Sequence, residues 1–268
     1  MKTAFIGGGN MARAIIGGLV AQGFDAADIA VKDPHEEKRA ALTADFGAAA
    51  FDEAADWITA ADLVVLAVKP QGLEACLKET AQWISPDATV LSIAAAVSVD
   101  AIARWSGKSR IVRCLPNTPA MAGCGFSGLY AGQGAGPEDR ARAQKVMESV
   151  GSVVWVADEA QLHVVTAGPG SGPAYVFLFM EALADALVQA GADAGQAREM
   201  ALSTVYGAAS LAKASGEDFA LLRQKVTSKG GTTAKAIEAL EAGDFRGLIG
   251  SAVKACIARS EEMAELYK

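Results

Sequence analysis

The sequence predicts an α/β domain over residues 1–157 followed by an all-α domain over residues 158–268. Three observations support this fold class. Short apolar runs alternate with helical patterns through the first part, which is typical of a parallel sheet covered by helices. A glycine-rich turn joins the first apolar run to the first helical pattern. No strand-like run is found after Asp158.

Seven short apolar runs are predicted strands, and several are apolar throughout, as expected for parallel strands covered on both faces. They are Thr3–Ile6, Ile29–Lys32, Leu63–Val68, Thr89–Ile93, Arg110–Leu115, Phe126–Tyr130 and Val153–Val156. The segments between them have helical periodicity. These are Asn10–Gln22, Glu36–Asp45, Gly72–Trp83, Val99–Trp105 and Pro137–Val150. The order of elements predicts a parallel sheet with helical crossovers.

After Asp158 the pattern is helical, with two glycine-rich interruptions, Gly168–Pro173 and Thr227–Thr233. The stretch Tyr175–Gly191 is apolar around most of its circumference, whereas a helix at the surface of a globular domain shows a wider polar face. This helix is therefore either central in its domain or buried against another chain.

Composition excludes several classes of protein. Hydrophobic residues make up 51% of the chain and charged residues 21%, so it is not disordered. A net charge of −7 argues against nucleic-acid binding, and two histidines argue against a histidine metal centre or triad. The four cysteines are scattered, no apolar run approaches the roughly 18–20 residues of a membrane span, and the N-terminus does not resemble a signal peptide. We expect a soluble protein in the reducing cytoplasm.

The strongest motif is the turn Gly7–Ala12, which reads Gly-x-Gly-x-x-Ala between the first predicted strand and helix. Gly7 permits a tight turn, Gly9 lets the backbone approach a pyrophosphate, and Ala12 keeps helix and strand close. The alternative is a strand–helix turn without a ligand. Its place at the start of a β-α-β pattern favours dinucleotide binding.

Two more loops follow predicted strands, where ligands of open α/β sheets bind. Lys69, before Pro70, could face a phosphate or be an ordinary surface lysine. Asn117 stands between Pro116 and Pro119 in a stiff loop. Its amide suits a nicotinamide carboxamide or a ribose, and an Asn/Pro turn explains it equally well.

The loop Thr227–Thr233 leads into a predicted helix, Ala234–Glu241. Backbone N–H groups of a glycine loop and a helix N-terminus favour a carboxylate. The alternative is a threonine N-cap. A cap accounts for one threonine, but not for two glycines and four hydroxyl residues, so the loop favours an anion site.

Five segments together resemble the pyrroline-5-carboxylate reductase family, in order from residue 2 to about residue 265. They are Phe5–Met11, Ala67–Pro70, Pro116–Pro119, Gly170–Tyr175 and Val226–Thr233. The first is generic, and the last two together are specific. The resemblance implies reduction of the imine 1-pyrroline-5-carboxylate to L-proline with NADPH or NADH, the last step of proline biosynthesis.

The family also implies a Rossmann-type N-terminal domain and a helical C-terminal domain that interlocks with a partner's in a homodimer, which assembles into decamers in many members. The cofactor-binding positions carried over are Ile6, Gly7, Gly8, Gly9, Asn10, Met11, Ala67, Val68, Lys69, Pro70, Ile93, Ala94 and Ala95. The substrate-binding positions carried over are Glu159, Thr232 and Thr233, and the backbone groups of Gly230 and Gly231 are expected to join them in holding the carboxylate. We expect no metal, nucleic acid or membrane partner.

Thr233 is the expected catalytic residue, hydrogen-bonded to the ring nitrogen. An iminium is already electrophilic, so orientation and dehydration can suffice without a general acid. His35 and His163 therefore receive no role in proton transfer. Two departures from the family pattern stand near the substrate segments: Pro169 replaces a serine and removes a backbone donor, and Lys229 stands where proline is common.

Cofactor choice depends on Asp33, an acid 24 residues after Gly9 at the end of the second predicted strand. An acid there commonly binds the adenosine ribose hydroxyls and repels a 2′-phosphate. Four nearby cationic or titratable residues could offset that repulsion: Lys32, His35, Lys38 and Arg39. The sequence thus predicts use of both cofactors, with NADH used unusually well for the family.

Two other functions fit parts of the sequence. A related reductase acting on a β-hydroxyacid or another imine would carry a catalytic lysine on a helix after the cofactor domain, and residues 158–212 contain no lysine. A non-catalytic nicotinamide sensor would keep Gly7–Ala12 but would have no reason to retain the Gly230–Thr233 loop.

Overall fold

The computed structural model describes residues Met1–Tyr267, which contain eight strands and eleven α-helices. The strands are β1 (Thr3–Ile6), β2 (Ile29–Lys32), β3 (Ala49–Phe51), β4 (Leu63–Leu66), β5 (Thr89–Ser92), β6 (Ile111–Leu115), β7 (Gly125–Ala131) and β8 (Gly151–Trp155). The helices are α1 (Asn10–Ala21), α2 (Glu36–Phe46), α3 (Pro70–Thr80), α4 (Val99–Ser106), α5 (Pro137–Glu148), α6 (Gln161–Val165), α7 (Gly172–Gln189), α8 (Ala194–Ser215), α9 (Phe219–Lys225), α10 (Thr232–Ala242) and α11 (Phe245–Glu265).

The eight strands form one sheet in the order β3-β2-β1-β4-β5-β6-β7-β8. The order reverses beside β1, which pairs in parallel with both β2 and β4. Ile6 lies level with Lys32 on one side and with Leu66 on the other, so the turns after three strands meet at one edge. This is the crevice in which open α/β sheets bind nucleotides.

The sheet is not parallel throughout, because β7 runs antiparallel to β6. The connection between them, residues 116–124, is too short for the helical crossover that parallel neighbours need. β8 follows β7 through α5 and pairs with it in parallel. The sequence-based expectation of a parallel sheet is therefore correct for β1 to β6 and wrong at β7.

The short edge strand β3 was not expected from the sequence. It contains two alanines and Phe51, and only its middle residue is even partly buried. A three-residue, largely exposed strand has no apolar run to identify it. Phe51 stacks on Trp57, with ring centroids 4.9 Å apart, so side-chain packing stabilises this edge strand although no apolar pattern marks it.

Each face of the sheet buries an apolar cluster. One includes Phe5 of β1, Ile15 and Ile16 of α1, and Met147 of α5. The other packs residues of α3 and α4, among them Leu73, against the opposite face of the sheet. Both faces are covered, as near-continuous apolar strands require.

Asp139 at the start of α5 is a buried carboxylate. It accepts hydrogen bonds from the Thr89 hydroxyl, from the Gly136 N–H at 2.8 Å and from Arg110 Nε at 3.0 Å. Burial alone would raise the pKa of Asp139, but these hydrogen bonds and the Arg110 charge outweigh it and lower that pKa below its usual value. The contact connects α5 to β5 and to the segment before β6.

The chain forms two compact units. One is Met1–Ser171 together with the chain from Cys256 onward, and the other is Gly172–Ala255. The domain boundary predicted between residues 157 and 158 falls inside the first unit and stays a prediction. The last strand ends at Trp155, and only helices and turns follow within the described residues.

The smaller unit buries very little of its apolar surface. Within residues 172–255 only Ala197 and Ala201 are buried. Several large apolar side chains are more than half exposed in this single chain, including Phe177 at 63%, Leu178 at 65% and Tyr206 at 74%. Exposed apolar area of this kind marks an interaction surface.

Helical backbone from Gln161 to Gln189 is long and apolar enough, by length and composition alone, to cross a membrane. The expectation that no apolar stretch approaches that length is therefore wrong. One such helix is weak evidence for a membrane span, because core helices of soluble proteins meet the same criteria.

Candidate active site

The turn after β1 requires glycine at its first position. Gly7 has φ +102°, and its N–H donates to the Lys32 carbonyl oxygen at 2.7 Å. A Cβ at Gly7 would lie 2.6 Å from the Ala67 carbonyl oxygen. The tight turn predicted for Gly7 is thus present, and it brings the turns after β1, β2 and β4 together.

The N-terminus of α1 is open. Its N-cap residue is Gly9, with no side-chain cap and no acid in the first turn. The first N–H to bond back is that of Arg13, to the Gly9 carbonyl oxygen. A Cβ at Gly9 would meet no atom within 4 Å, and Ala12 is buried against the sheet. Free N–H groups, a positive helix end and empty space at Gly9 fit the pyrophosphate of a dinucleotide.

Asp33, directly after β2, is buried and already engaged within the chain. One carboxylate oxygen accepts the Gly8 N–H at 2.8 Å; the other accepts the His35 N–H and contacts the His35 ring, both at 2.9 Å. Burial raises the pKa of a carboxyl, but these hydrogen bonds and the Lys38 charge prevail, so the pKa of Asp33 is lowered. The predicted hydrogen bond to the ribose stays a prediction.

The cationic group expected around Asp33 is smaller than the sequence indicated. Lys38 Nζ lies 3.5 Å from the Asp33 carboxylate, and Arg39 donates to the Asp33 carbonyl oxygen at 2.9 Å. Lys32 instead pairs with Glu79 of α3 at 2.6 Å. Successive strand residues point to opposite faces, so Lys32 does not join its neighbour's cluster.

Two other predicted cofactor loops lie at the same edge of the sheet. Lys69 is exposed and is the N-cap residue of α3, and Pro70 is the first helical residue. After β5, Ala95 is exposed, and Ala96 has φ +65°, a conformation that alanine rarely adopts. Ile93, Ala94 and Ala95 thus lie in a loop with an enforced shape.

The Asn117 side chain is committed to the protein. Its Oδ1 accepts the Phe126 N–H at 2.8 Å, and its Nδ2 donates to the Pro169 carbonyl oxygen at 2.9 Å. The residue is buried. These bonds favour the Asn/Pro turn over the nicotinamide contact as the explanation of this residue, and the contact stays a prediction.

Glu159 lies in the turn after β8. Its Oε1 accepts the Val99 N–H at 2.9 Å and lies 2.8 Å from Arg113 Nη1. The sequence did not identify Arg113 as a site residue, although a lone charge in an otherwise apolar strand was a signal for it. The structure brings Glu159 to the loop after β5.

In the smaller unit, the substrate loop ends at an open helix N-terminus. Gly230 has φ +72°, and Gly231 is the N-cap residue of α10, without a side-chain cap or an acid in the first turn. Thr232 and Thr233 are exposed and are the first two helical residues. The alternative of a threonine N-cap is therefore wrong, because a glycine holds that position. The first-turn N–H groups stay available to a carboxylate.

The glycine-rich segment Gly168–Pro173 is helical rather than an open loop. Thr166–Gly170 forms a π-helical turn, and the Ser171 N–H donates to the Thr166 carbonyl oxygen at 2.8 Å. Pro169 has no N–H for a normal helical bond, and such a gap is commonly absorbed by a wider turn. The predicted interruption is thus a change of helix type.

Most predicted cofactor residues lie along one edge of the sheet in the larger unit. Glu159 belongs to that unit as well, whereas Gly230, Gly231, Thr232 and Thr233 belong to the smaller unit. The sequence signals for both sets were glycine turns at helix starts. The pairing of Asp33 with Gly8 and of Glu159 with Val99 has no such local signal in the sequence.

Two family models match the chain. One, pyrroline-5-carboxylate reductase dimerisation, matches residues 159–263. The other, NADP oxidoreductase coenzyme F420-dependent, matches residues 2–96. The second match contains the glycine turn and the loops after β2 and β4 and ends within the loop after β5, and the first contains Glu159 and the α10 loop.

Whole-chain relatives agree with these matches. The pyrroline-5-carboxylate reductase of Pseudomonas aeruginosa is 42% identical over 265 residues, covering 98% of this chain and 97% of the relative. That of Escherichia coli is 38% identical, covering 98% of each. Among solved structures, a pyrroline-5-carboxylate reductase from Coxiella burnetii has a TM-score of 0.94 at 38% identity, covering 98% of each chain. Plasmodium falciparum pyrroline carboxylate reductase with NADP bound has a TM-score of 0.85 at 24% identity, covering 98% of each chain, and shows the shared fold.

Proposed function

This chain belongs to the pyrroline-5-carboxylate reductase family, and from that premise we propose how its residues divide the work of the reaction. The reaction is the reduction of 1-pyrroline-5-carboxylate to L-proline with NAD(P)H, the last step of proline biosynthesis. In this proposal the α1 turn holds the cofactor and the α10 turn holds the substrate.

One observation carries the assignment. α1 and α10 both begin after a glycine N-cap, both lack a side-chain cap, and neither has an acid in its first turn. Each therefore presents free N–H groups and a positive helix end to an anion. The reaction brings together two anionic ligands, a dinucleotide pyrophosphate and a substrate carboxylate, so two such sites meet its needs.

When bound, the nicotinamide supplies hydride to the imine carbon. The protein orients the two ligands: Gly7, Gly8 and Gly9 allow the α1 turn to approach the pyrophosphate, and the loops Ala67–Pro70 and Ile93–Ala95 line the same edge. The Asn117 amide, which is tied to Phe126 and Pro169, shapes the next loop.

At the substrate, N–H groups of Gly230–Thr233 hold the carboxylate, and the Thr233 hydroxyl hydrogen-bonds the ring nitrogen. In the protonated imine the ring N–H donates to the Thr233 oxygen, so the iminium is held without a proton-transfer residue. His35 and His163 are used elsewhere: His35 contacts Asp33, and His163 Nδ1 lies 2.8 Å from the Ser260 hydroxyl. Orientation can supply several kcal/mol of the barrier reduction.

The match of residues 159–263 to the dimerisation model of the family supports oligomerisation. We propose a homodimer through Gly172–Ala255, with a decamer as its higher assembly, and the sparse burial in that unit supports the dimer. All four cysteines are free, which supports a reducing, cytoplasmic location. A small-molecule substrate and no nucleic-acid or membrane partner complete the proposal.

Steady-state oxidation of NADPH and of NADH with 1-pyrroline-5-carboxylate tests the activity. We expect turnover that depends on the imine and yields proline. A reductase of the β-hydroxyacid type would instead oxidise hydroxyacids with NADP⁺, and a sensor would bind NADPH without turnover. Either result would refute the proposed division of work.

A further inference from the structure

The Glu159 carboxylate completes the N-terminus of α4. Ser98 Oγ accepts the Ala101 N–H at 3.1 Å, which leaves the Val99 N–H without a capping partner on its own helix. Glu159 Oε1 accepts that N–H at 2.9 Å across 60 residues of sequence. The contact therefore fixes the point at which the loop after β5 enters α4.

That loop is Ile93–Ser98, and it contains the predicted cofactor contacts Ile93–Ala95. Ala96, in its middle, is buried with φ +65°. A left-handed alanine persists only where the surrounding contacts impose it. β5 holds one end of the loop, and Glu159 holds the other through Val99.

Arg113 holds Glu159 in place. It lies in β6 level with Ser92, the last residue of β5. Its side chain is 6% exposed, and within residues 1–267 Glu159 is its only acidic partner, at 2.8 Å. A guanidinium this deeply buried needs that carboxylate. Glu159 Oε1 thus connects β6 to the loop beside it.

We propose that Glu159 is a positioning residue for the nicotinamide cofactor, acting through Val99 on the Ile93–Ser98 loop, with Arg113 as its anchor. This differs from the substrate contact that the family resemblance implies. The inference rests on the proposed cofactor edge, but its test uses cofactor binding rather than turnover, so the two can fail separately.

The experiment measures NADPH affinity by the fluorescence of the bound cofactor and amide exchange of residues 93–105 by mass spectrometry. Glu159→Ala should raise the NADPH Kd about fivefold to tenfold and speed exchange, because Val99 loses its acceptor. Glu159→Gln keeps an oxygen acceptor and should restore most of the affinity. Asp158→Asn, a charge change one residue away, should leave both readouts unchanged.

Glu159→Ala leaves Arg113 buried and unpaired, so a general loss of structure has to be separated from a shifted loop. The double variant Arg113→Met/Glu159→Ala removes that charge. It should regain melting temperature while the NADPH Kd stays raised. If both Glu159 variants raise KM for the imine while the NADPH Kd and the exchange of residues 93–105 stay unchanged, Glu159 acts on the substrate and the proposal is wrong.

Discussion

The Asp33 carboxylate accepts the backbone N–H of Gly8 at 2.8 Å, so the acid expected to bind the ribose also holds the glycine turn. We expect Asp33→Ser to weaken NADH and NADPH together, by about tenfold, because a buried charge-assisted hydrogen bond to the turn is lost. Titration of both cofactors by fluorescence checks this, with Asp87→Ser, at an exposed carboxylate, as control.

The ribose role makes a different prediction for the same variant. Removing one like charge near a 2′-phosphate should improve the binding free energy of NADPH by on the order of 1 kcal/mol. The preference should then shift toward NADPH by about fivefold to tenfold. A shift of that size without a common loss of affinity would restore the sequence-based interpretation of Asp33. A wild type that prefers NADPH a hundredfold or more would exclude it.

Alanine substitutions at Gly7 and at Gly9 should affect stability and cofactor binding differently. Gly7→Ala forces a Cβ against the Ala67 carbonyl oxygen at φ +102°, so we expect a loss of about 1–3 kcal/mol of folding free energy as well as weaker cofactor binding. Gly9→Ala meets no atom and should leave the melting temperature unchanged while lowering NADPH affinity at least about tenfold. Calorimetry and fluorescence titration separate the two, and equal melting temperatures for both variants would contradict the assignment.

Thr233→Ala should lower kcat/KM for the imine by more than about tenfold with little effect on NADPH affinity, because in our proposal it contacts only substrate. Thr233→Ser keeps the hydroxyl and should recover most of the activity. Steady-state kinetics with the imine varied at saturating NADPH makes the measurement. A fall in cofactor affinity with unchanged imine turnover would show that the assignment of Thr233 to the substrate site is wrong.

Because of Asp139, the free energy of unfolding should decrease at acid pH. Its pKa is lowered in the folded protein, so the unfolded chain binds more protons, and the contribution is present above about pH 4 and lost as pH falls below that. Asp139→Asn should therefore cost about 1–3 kcal/mol at pH 7 and less at pH 3. Urea unfolding at the two pH values checks this, and a constant difference would show that charge is not the cause.

Leu178→Glu should dissociate the proposed dimer. A charge on a side chain that is 65% exposed in the single chain is harmless unless that face is covered by a second copy. Sedimentation at micromolar concentration should give a lower mass for this variant. Met121→Glu, at a comparably exposed apolar side chain outside residues 159–263, should keep the wild-type mass. A wild-type protein that sediments as a folded monomer would refute the dimer.

The local sequence pattern was sufficient where an element is determined by its own residues. β1 begins and ends as predicted, and the glycine-rich turns before α1 and α10 were indicated by residue type. Apolar periodicity alone did not give the direction of a strand or the partner of a buried side chain. β7 is antiparallel because of connection length, and Asn117 is held by Pro169, 52 residues away. Asp33 was expected to end the second strand and lies directly after it, but its hydrogen bond from Gly8, 25 residues away, is set only by the folded arrangement.

Only two small residues are buried within residues 172–255, and this sparse core has a consequence for the stability of the unit. If that unit completes its core only when two copies of the chain associate, its folding is bimolecular. Its stability then rises with protein concentration by mass action. Dilution would then unfold this unit alone, while the sheet with its two apolar clusters stays folded. A cell that makes more of the chain would obtain more activity per chain as well as more chains.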